Sequence, residues 1–223
     1  MKTEIEVRIG DERLLLLAGK ALYWPDRRAL CIADPHFGKA AAYRSLGQPV
    51  PHGTTADNLS RLDTLLSKYP CSELVVLGDF LHAPESHASL TLSTLHAWRS
   101  KHAHLTCTLI RGNHDRRAGD PPSALAFKVV DEPWRLGPLA FRHTPTEDAT
   151  HHVIAGHVHP VFQWSGKGRQ SVRLPCFQLQ PRLTLLPAFG EFTGGTRVER
   201  PADGLVVVTD GCQLWSIGAM APT

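Results

Sequence analysis

Disulfide, leader and membrane signals are all missing from this sequence. Its 223 residues include five cysteines, Cys31, Cys71, Cys107, Cys176 and Cys212, with no CxxC spacing. An odd, dispersed set argues against a disulfide framework and fits reduced thiols in a cytoplasmic protein. The opening run MKTEIEVRIGDER is too charged for a signal peptide. The apolar run at 14–18 is too short for a membrane span, so no membrane partner is expected. Repeats, low-complexity tracts and charge blocks are also absent. Charge of one sign is scarce: 24 Lys and Arg against 21 Asp and Glu leave a net of +3. That permits an anionic substrate and does not demonstrate nucleic-acid binding. With 42% hydrophobic and 20% charged residues, extensive disorder is excluded. The length suits a single domain, residues 1–223, with a core that needs no covalent staple.

Histidine is plentiful, at 13. Apolar runs predict buried strands at 29–33 (ALCIA), 73–77 (ELVVL) and 105–110 (LTCTLI), after strands at 4–9 and 14–18. Leucines at helical period predict a helix over 54–69, with Thr54 and Asp57 spaced as a capping box. A second helix is predicted over 87–101, with Leu92, Leu95 and Trp98 inward. Past residue 120 strands dominate, at 127–131, 138–143, 152–156, 161–165, 170–179, 182–186, 205–209 and 212–217. The expected architecture is an α/β layer packed on a second, mostly antiparallel or mixed sheet.

Chemistry-bearing residues fall where these strands stop. Asp34-Pro35-His36 follows one, Gly78-Asp79 the next and Gly112-Asn113-His114-Asp115 the third. His143 and Gly156-His157-Val158-His159 follow two later strands. Ligands bind outside the carboxyl ends of strands in open α/β sheets. Asp34, His36, Asp79, Asn113, His143, His157 and His159 are too many donors for one tetrahedral ion and suit two ions, with Asp79 as the bridge. A mixed His, Asp and Asn set favours Mn, Fe, Zn, Co or Ni over Ca or Mg. Two divalent ions bring about +4, and two Asp with a bridging hydroxide remove about 3. The net of roughly +1 complements a phosphodiester. Each short motif taken singly is weak; their order, each after an apolar run, is not.

Those five motifs, spread over residues 34–159, resemble the calcineurin-like metallophosphoesterases. The resemblance implies a four-layer α/β/β/α sandwich. It assigns Asp34, His36 and His159 to one ion and Asn113, His143 and His157 to the other, with Asp79 between. It makes His114 the group beside the leaving oxygen and Asp115 its orienter. A narrower likeness, in DPHFGK (34–39), GDFLH (78–82), LPAFG (186–190) and FTGG (192–195), is to bacterial ligase-associated DNA damage response endonucleases. It implies manganese and a DNA substrate, single-stranded or flexible. It also implies a repair role beside a DNA ligase, an exonuclease and a helicase. Pro35 departs from the aliphatic residue more usual there. Lys39, His82, Arg116 and Arg117 are candidate substrate contacts, with Arg44 and a basic hairpin of Lys167, Arg169 and Arg173 behind them. Phe189 and Phe192 are either base-stacking or core residues. The alternatives are a small-nucleotide phosphodiesterase or pyrophosphatase, a noncatalytic scaffold and a metal-binding regulator.

Overall fold

The computed structural model describes residues 2–50, 53–165 and 170–218; His52, Lys167 and Arg169 lie outside them. Seven strands form the first sheet in chain order: β1 (Glu4–Ile9), β2 (Glu12–Leu17), β3 (Ala21–Trp24), β4 (Ala29–Ala33), β5 (Glu73–Leu77), β6 (Thr106–Ile110) and β7 (Phe127–Val130). The first four are antiparallel neighbours, and β4 through β7 run parallel. Between the parallel strands come α1 (Lys39–Ser45), α2 (Thr54–Lys68), α3 (Ser89–Lys101) and α4 (Asn113–Ala118).

A second sheet of nine strands holds β8 (Trp134–Leu136), β9 (Leu139–Arg142), β10 (His152–Ala155), β11 (Pro160–Ser165), β12 (Ser171–Leu179), β13 (Leu183–Leu185), β14 (Thr196–Arg197), β15 (Leu205–Thr209) and β16 (Leu214–Ile217). It is mixed: β9, β10 and β13 are parallel, and β12 pairs antiparallel with β11, β13 and β15. The result is a two-sheet α/β sandwich.

Burial explains the strand sequences. Strands β4, β5 and β6 are covered on both faces, so they read as largely apolar runs, with Glu73 and Thr106 at the starts of β5 and β6 and Thr108 buried within β6. On one face Leu30, Ile32, Leu74, Val76 and Leu109 pack with Leu59, Leu62 and Leu65 of α2 and Leu95 and Trp98 of α3. On the other, Cys31, Val75, Leu77 and Ile110 meet Leu139, Phe141, Ile154, Phe177 and Val207 of the second sheet. The far side of that sheet carries two small clusters with no helical residue among them.

Several local expectations change. Thr54 is the first residue of α2 rather than its cap; Gly53 caps the helix and its carbonyl accepts the Asp57 N–H, so no capping box forms. In α3 the third buried position is Thr91, not Leu92. Strands β3, β8 and β14 and helices α1 and α4 were not foreseen. No described helix is long and apolar enough to cross a membrane.

Leu62 lies at the helix–sheet seam with 1% of its surface exposed. Leu62→Ala is expected to lower unfolding free energy by about 2–5 kcal/mol in urea titrations; a loss below about 0.5 kcal/mol would contradict the packing described.

Candidate metal centre

Strands β4, β5, β6, β9 and β10 deliver Asp34, Asp79, Asn113, His143 and His157 from their carboxyl ends, and His159 precedes β11. The chain turns sharply at these points. Asp34, His36, Asp79, His157 and His159 all have positive φ, between 46° and 68°, a region that Asp and His enter more readily than most residues. Two glycines allow the close approach. A Cβ at Gly78 would fall 2.1 Å from His143 Nδ1, and one at Gly112 would fall 2.3 Å from Asp79 Oδ1.

Among the described residues the donors converge in three groups; one joins His36, His82 and His114, and the other two share Asp79. Asp34, His36, Asp79 and His159 each offer one ligand atom within 4.8 Å of the others, and so do Asp79, His143 and His157. His36 Nε2 is 3.4 Å from His159 Nε2 and 3.7 Å from Asp79 Oδ2. His143 Nε2 is 2.9 Å from both Asn113 Oδ1 and His157 Nδ1 and 3.5 Å from Asp79 Oδ1. Asp34, His36, Asp79 and His143 are buried, whereas His157 is exposed, so the centre opens to solvent on its side.

The proton inventory fits cations. His143 Nδ1 donates to the Leu77 carbonyl at 3.1 Å, and His159 Nδ1 to the Thr193 carbonyl at 3.1 Å. Each Nε2 is thereby turned toward the centre, and a carbonyl on the far nitrogen is the usual arrangement behind a metal-binding imidazole. Asp34 Oδ1 is buried without a hydrogen bond; the nearby His143 Nδ1, 3.4 Å away, spends its hydrogen on Leu77.

Electrostatics point the same way. Burial pushes the Asp79 carboxyl up, and the Asp34 charge adds to this against His143 and His114. Burial drives His36 far down, with His159, Lys39 and His114 adding to it. Burial also lowers His159, but Asp34, the Thr193 carbonyl and Asp79 outweigh it and the net shift is upward. Bound divalent ions would reverse the penalty on the carboxylates.

The remaining candidates divide. His114 stands at the rim, its Nδ1 2.6 Å from the His82 carbonyl and its Nε2 4.0 Å from Asp79 Oδ2. The expectation that Asp115 orients this ring is not met. Asp115 is buried, Oδ1 accepts the N–H groups of Phe80 and Leu81, and Oδ2 accepts that of Gly112. It ties the Asp79 turn to the head of α4. His82 stacks on His114 and has its Nδ1 3.3 Å from His36 Nδ1; burial pulls its pKa to about 4, with Lys39 and His114 adding. Lys39 is half-buried, and burial lowers its pKa against the opposing charge of Asp79. Arg116 and Arg117 are exposed on α4, and Arg116 leans toward Asp131 at 3.4 Å. Arg44 reaches the Val50 carbonyl, and Arg173 the Gly195 carbonyl. Phe189 is fully buried; Phe192 is exposed.

Sequence reasoning missed Glu132, whose Oε2 accepts the N–H groups of His143 and Thr144, both at 2.8 Å. It also missed the carbonyls of Leu77, His82 and Thr193. Backbone acceptors leave no mark in a sequence, and Glu132 stands outside every motif.

Comparison with known proteins adds three findings. The profile of the calcineurin-like phosphoesterase family matches residues 27–176. Among solved structures, the nuclease MPE of Pseudomonas putida is 46% identical over 96% of this chain and 100% of its own, with a TM-score of 0.85. The Aquifex aeolicus protein of unknown function AQ665 is 19% identical over 63% of this chain and 82% of its own, with a TM-score of 0.41, too loose a likeness to support an argument. No curated protein matches.

Asp115→Asn sets an amide NH2 or a weaker carbonyl against three backbone donors. It is expected to cost about 1–3 kcal/mol in urea unfolding while leaving the pH dependence of turnover in place. A shifted pH profile without loss of stability would restore Asp115 as the partner of the His114 ring.

Proposed function

The chain belongs to the calcineurin-like phosphoesterase family and is a hydrolase of the phosphodiesterase and nuclease class, and from that premise we propose that it cleaves DNA internally, using two divalent cations. Asp34, His36 and His159 hold one cation and Asn113, His143 and His157 the other, with Asp79 shared. The observation that carries this reading is the pair of side-chain groups meeting at Asp79. Manganese is the first choice, with Fe, Zn, Ni and Co as alternatives, because the donors mix imidazole nitrogen with carboxylate and amide oxygen. When bound, such a pair supplies positive charge to the phosphoryl oxygens and makes a water acidic enough to yield hydroxide near neutral pH.

The protein's own groups do the rest. His114 keeps one proton on Nδ1 against the His82 carbonyl, so Nε2 is the atom that meets the leaving oxygen and passes it a proton. The backbone N–H of His114 donates to Asp79 Oδ1 at 2.9 Å, and that of His157 to Asp34 Oδ2 at 2.8 Å. Each carboxylate is thereby fixed in rotation, with its other oxygen free for the centre. Lys39 adds positive charge beside Asp79. The DNA substrate is supported by the nuclease among the relatives. The repair role beside a ligase, an exonuclease and a helicase is supported by the segments shared with the ligase-associated endonucleases. A single domain spanning residues 1–223 is part of the same proposal.

With Mn²⁺ the purified protein is expected to hydrolyse bis-p-nitrophenyl phosphate and to linearise circular single-stranded DNA, which has no ends for an exonuclease. His114→Ala is expected to retain bound metal and lose roughly 10²–10⁴-fold in turnover. Metal-loaded wild type without phosphodiesterase activity would overturn the proposal.

A further inference from the structure

The segment 186–195 lies outside the metal motifs, yet it is fastened to them. The Phe189 N–H donates to the Ala33 carbonyl at 2.7 Å and the Gly190 N–H to the Asp34 carbonyl at 3.1 Å. The Phe189 ring is buried, with the Arg61 guanidinium 4.3 Å from its centroid. Glu191 is gripped by Lys20 at 2.9 Å and Arg61 at 2.6 Å. Two residues on, the Thr193 carbonyl accepts from His159. Between these two anchors stands Phe192.

Phe192 is anomalous in two independent ways. Its side chain is not packed: the residue is 59% exposed. Its backbone has φ +57°, which a bulky residue adopts only as an outlier. Neither burial nor backbone preference favours phenylalanine here, and glycine would suit the conformation better. Strain of this kind persists where the surroundings enforce it and clusters at ligand sites. The ring borders a cavity of about 150 Å³ that is also lined by Lys20, His159, Pro160, Val161 and Pro175. Lys20 is buried, engaged with Glu191 and itself at φ +64°. The open walls are divided evenly between polar and apolar surface, with Phe192, Pro160, Val161 and Pro175 on the apolar part, and one wall is a proposed cation ligand.

We propose that Phe192 is a stacking platform for a nucleobase adjoining the phosphate held at the metal centre. The inference rests on the phosphodiesterase reading and deepens it by naming the part of the substrate that is recognised. A planar apolar group tethered to a phosphodiester is the ligand that matches an exposed ring beside His159. Stacking on the exposed ring calls for a base free of its pairing partner, which fits single-stranded DNA. Base stacking is indifferent to base identity, so the subsite confers little sequence preference.

The test uses the full chain and short single-stranded oligonucleotides. In the His114→Ala background with Mn²⁺, 2-aminopurine placed along the oligonucleotide is expected to lose emission several-fold at one position next to the cleaved phosphate. Adding Phe192→Ala is expected to abolish that loss. In otherwise wild-type protein, Phe192→Ala is expected to raise KM roughly tenfold with kcat within about twofold, and Phe192→Tyr to restore wild-type KM. An abasic position at that site should raise the wild-type KM similarly and add nothing to the variant. Phe192→Gly is expected to melt no lower than wild type while sharing the binding defect, which separates recognition from folding. Unchanged KM in Phe192→Ala on DNA that wild type cuts, or emission unaltered at every position, overturns the base subsite and leaves the phosphodiesterase reading intact. A wild type that cuts no phosphodiester overturns both.

Discussion

Two carboxylates buried side by side, Asp34 at 0% exposure and Asp79 at 2%, set the constraint on which this molecule turns. Buried anions cost several kcal/mol each unless compensated. The backbone N–H groups of His114 and His157 meet one oxygen of each. Burial holds His36 and His157 low, so these two imidazoles do not supply full positive charges. Asp34 Oδ1 is left without a partner. The proposed cations are what balance this account, and they explain why so many lone pairs are aimed inward.

The sandwich makes such a cluster attainable. Parallel strands β4 to β6 end at one edge of the first sheet, and β9 and β10, also parallel, end at the matching edge of the second. Face-to-face packing of Val75 and Leu77 against Phe141 and Ile154 brings the two edges together. Each ligand then lies within four residues of the end of a rigid strand, and this is why the positive-φ positions gather there. Asp115 and Glu132 reinforce the same plan from below, each collecting backbone amides of the loops that carry the donors.

Much of this was legible in the sequence because the signal was local. ALCIA, ELVVL and the apolar run before Arg111 announce doubly covered strands, and the polar residues after them announce an edge. What escaped had weak or competing signals. The stretch ALYW of β3 is too short to separate from the loop around it. The run KAAAYRS of α1 has no capping side chain, since its cap is Gly38 at φ +78°. Helix α4 hid inside GNHD because motif reading treats those residues as a turn, whereas Asn113 opens a helix. Adjacency in sequence suggested that Asp115 serves His114; on a helix neighbouring side chains diverge by about 100°, and the carbonyl of the distant His82 serves instead. Phe189 and Phe192 were indistinguishable by type, and only tertiary packing separates a buried anchor from an exposed ring.

The central claim is that side chains from both sheets assemble around a pair of cations with Asp79 between them. Anomalous diffraction from crystals grown with Mn²⁺ tests it most directly. The account predicts two peaks per chain, one beside His36 and His159, the other beside Asn113, His143 and His157, and both within bonding distance of the Asp79 carboxylate. A single peak, or peaks that leave Asp79 uncoordinated, would contradict it.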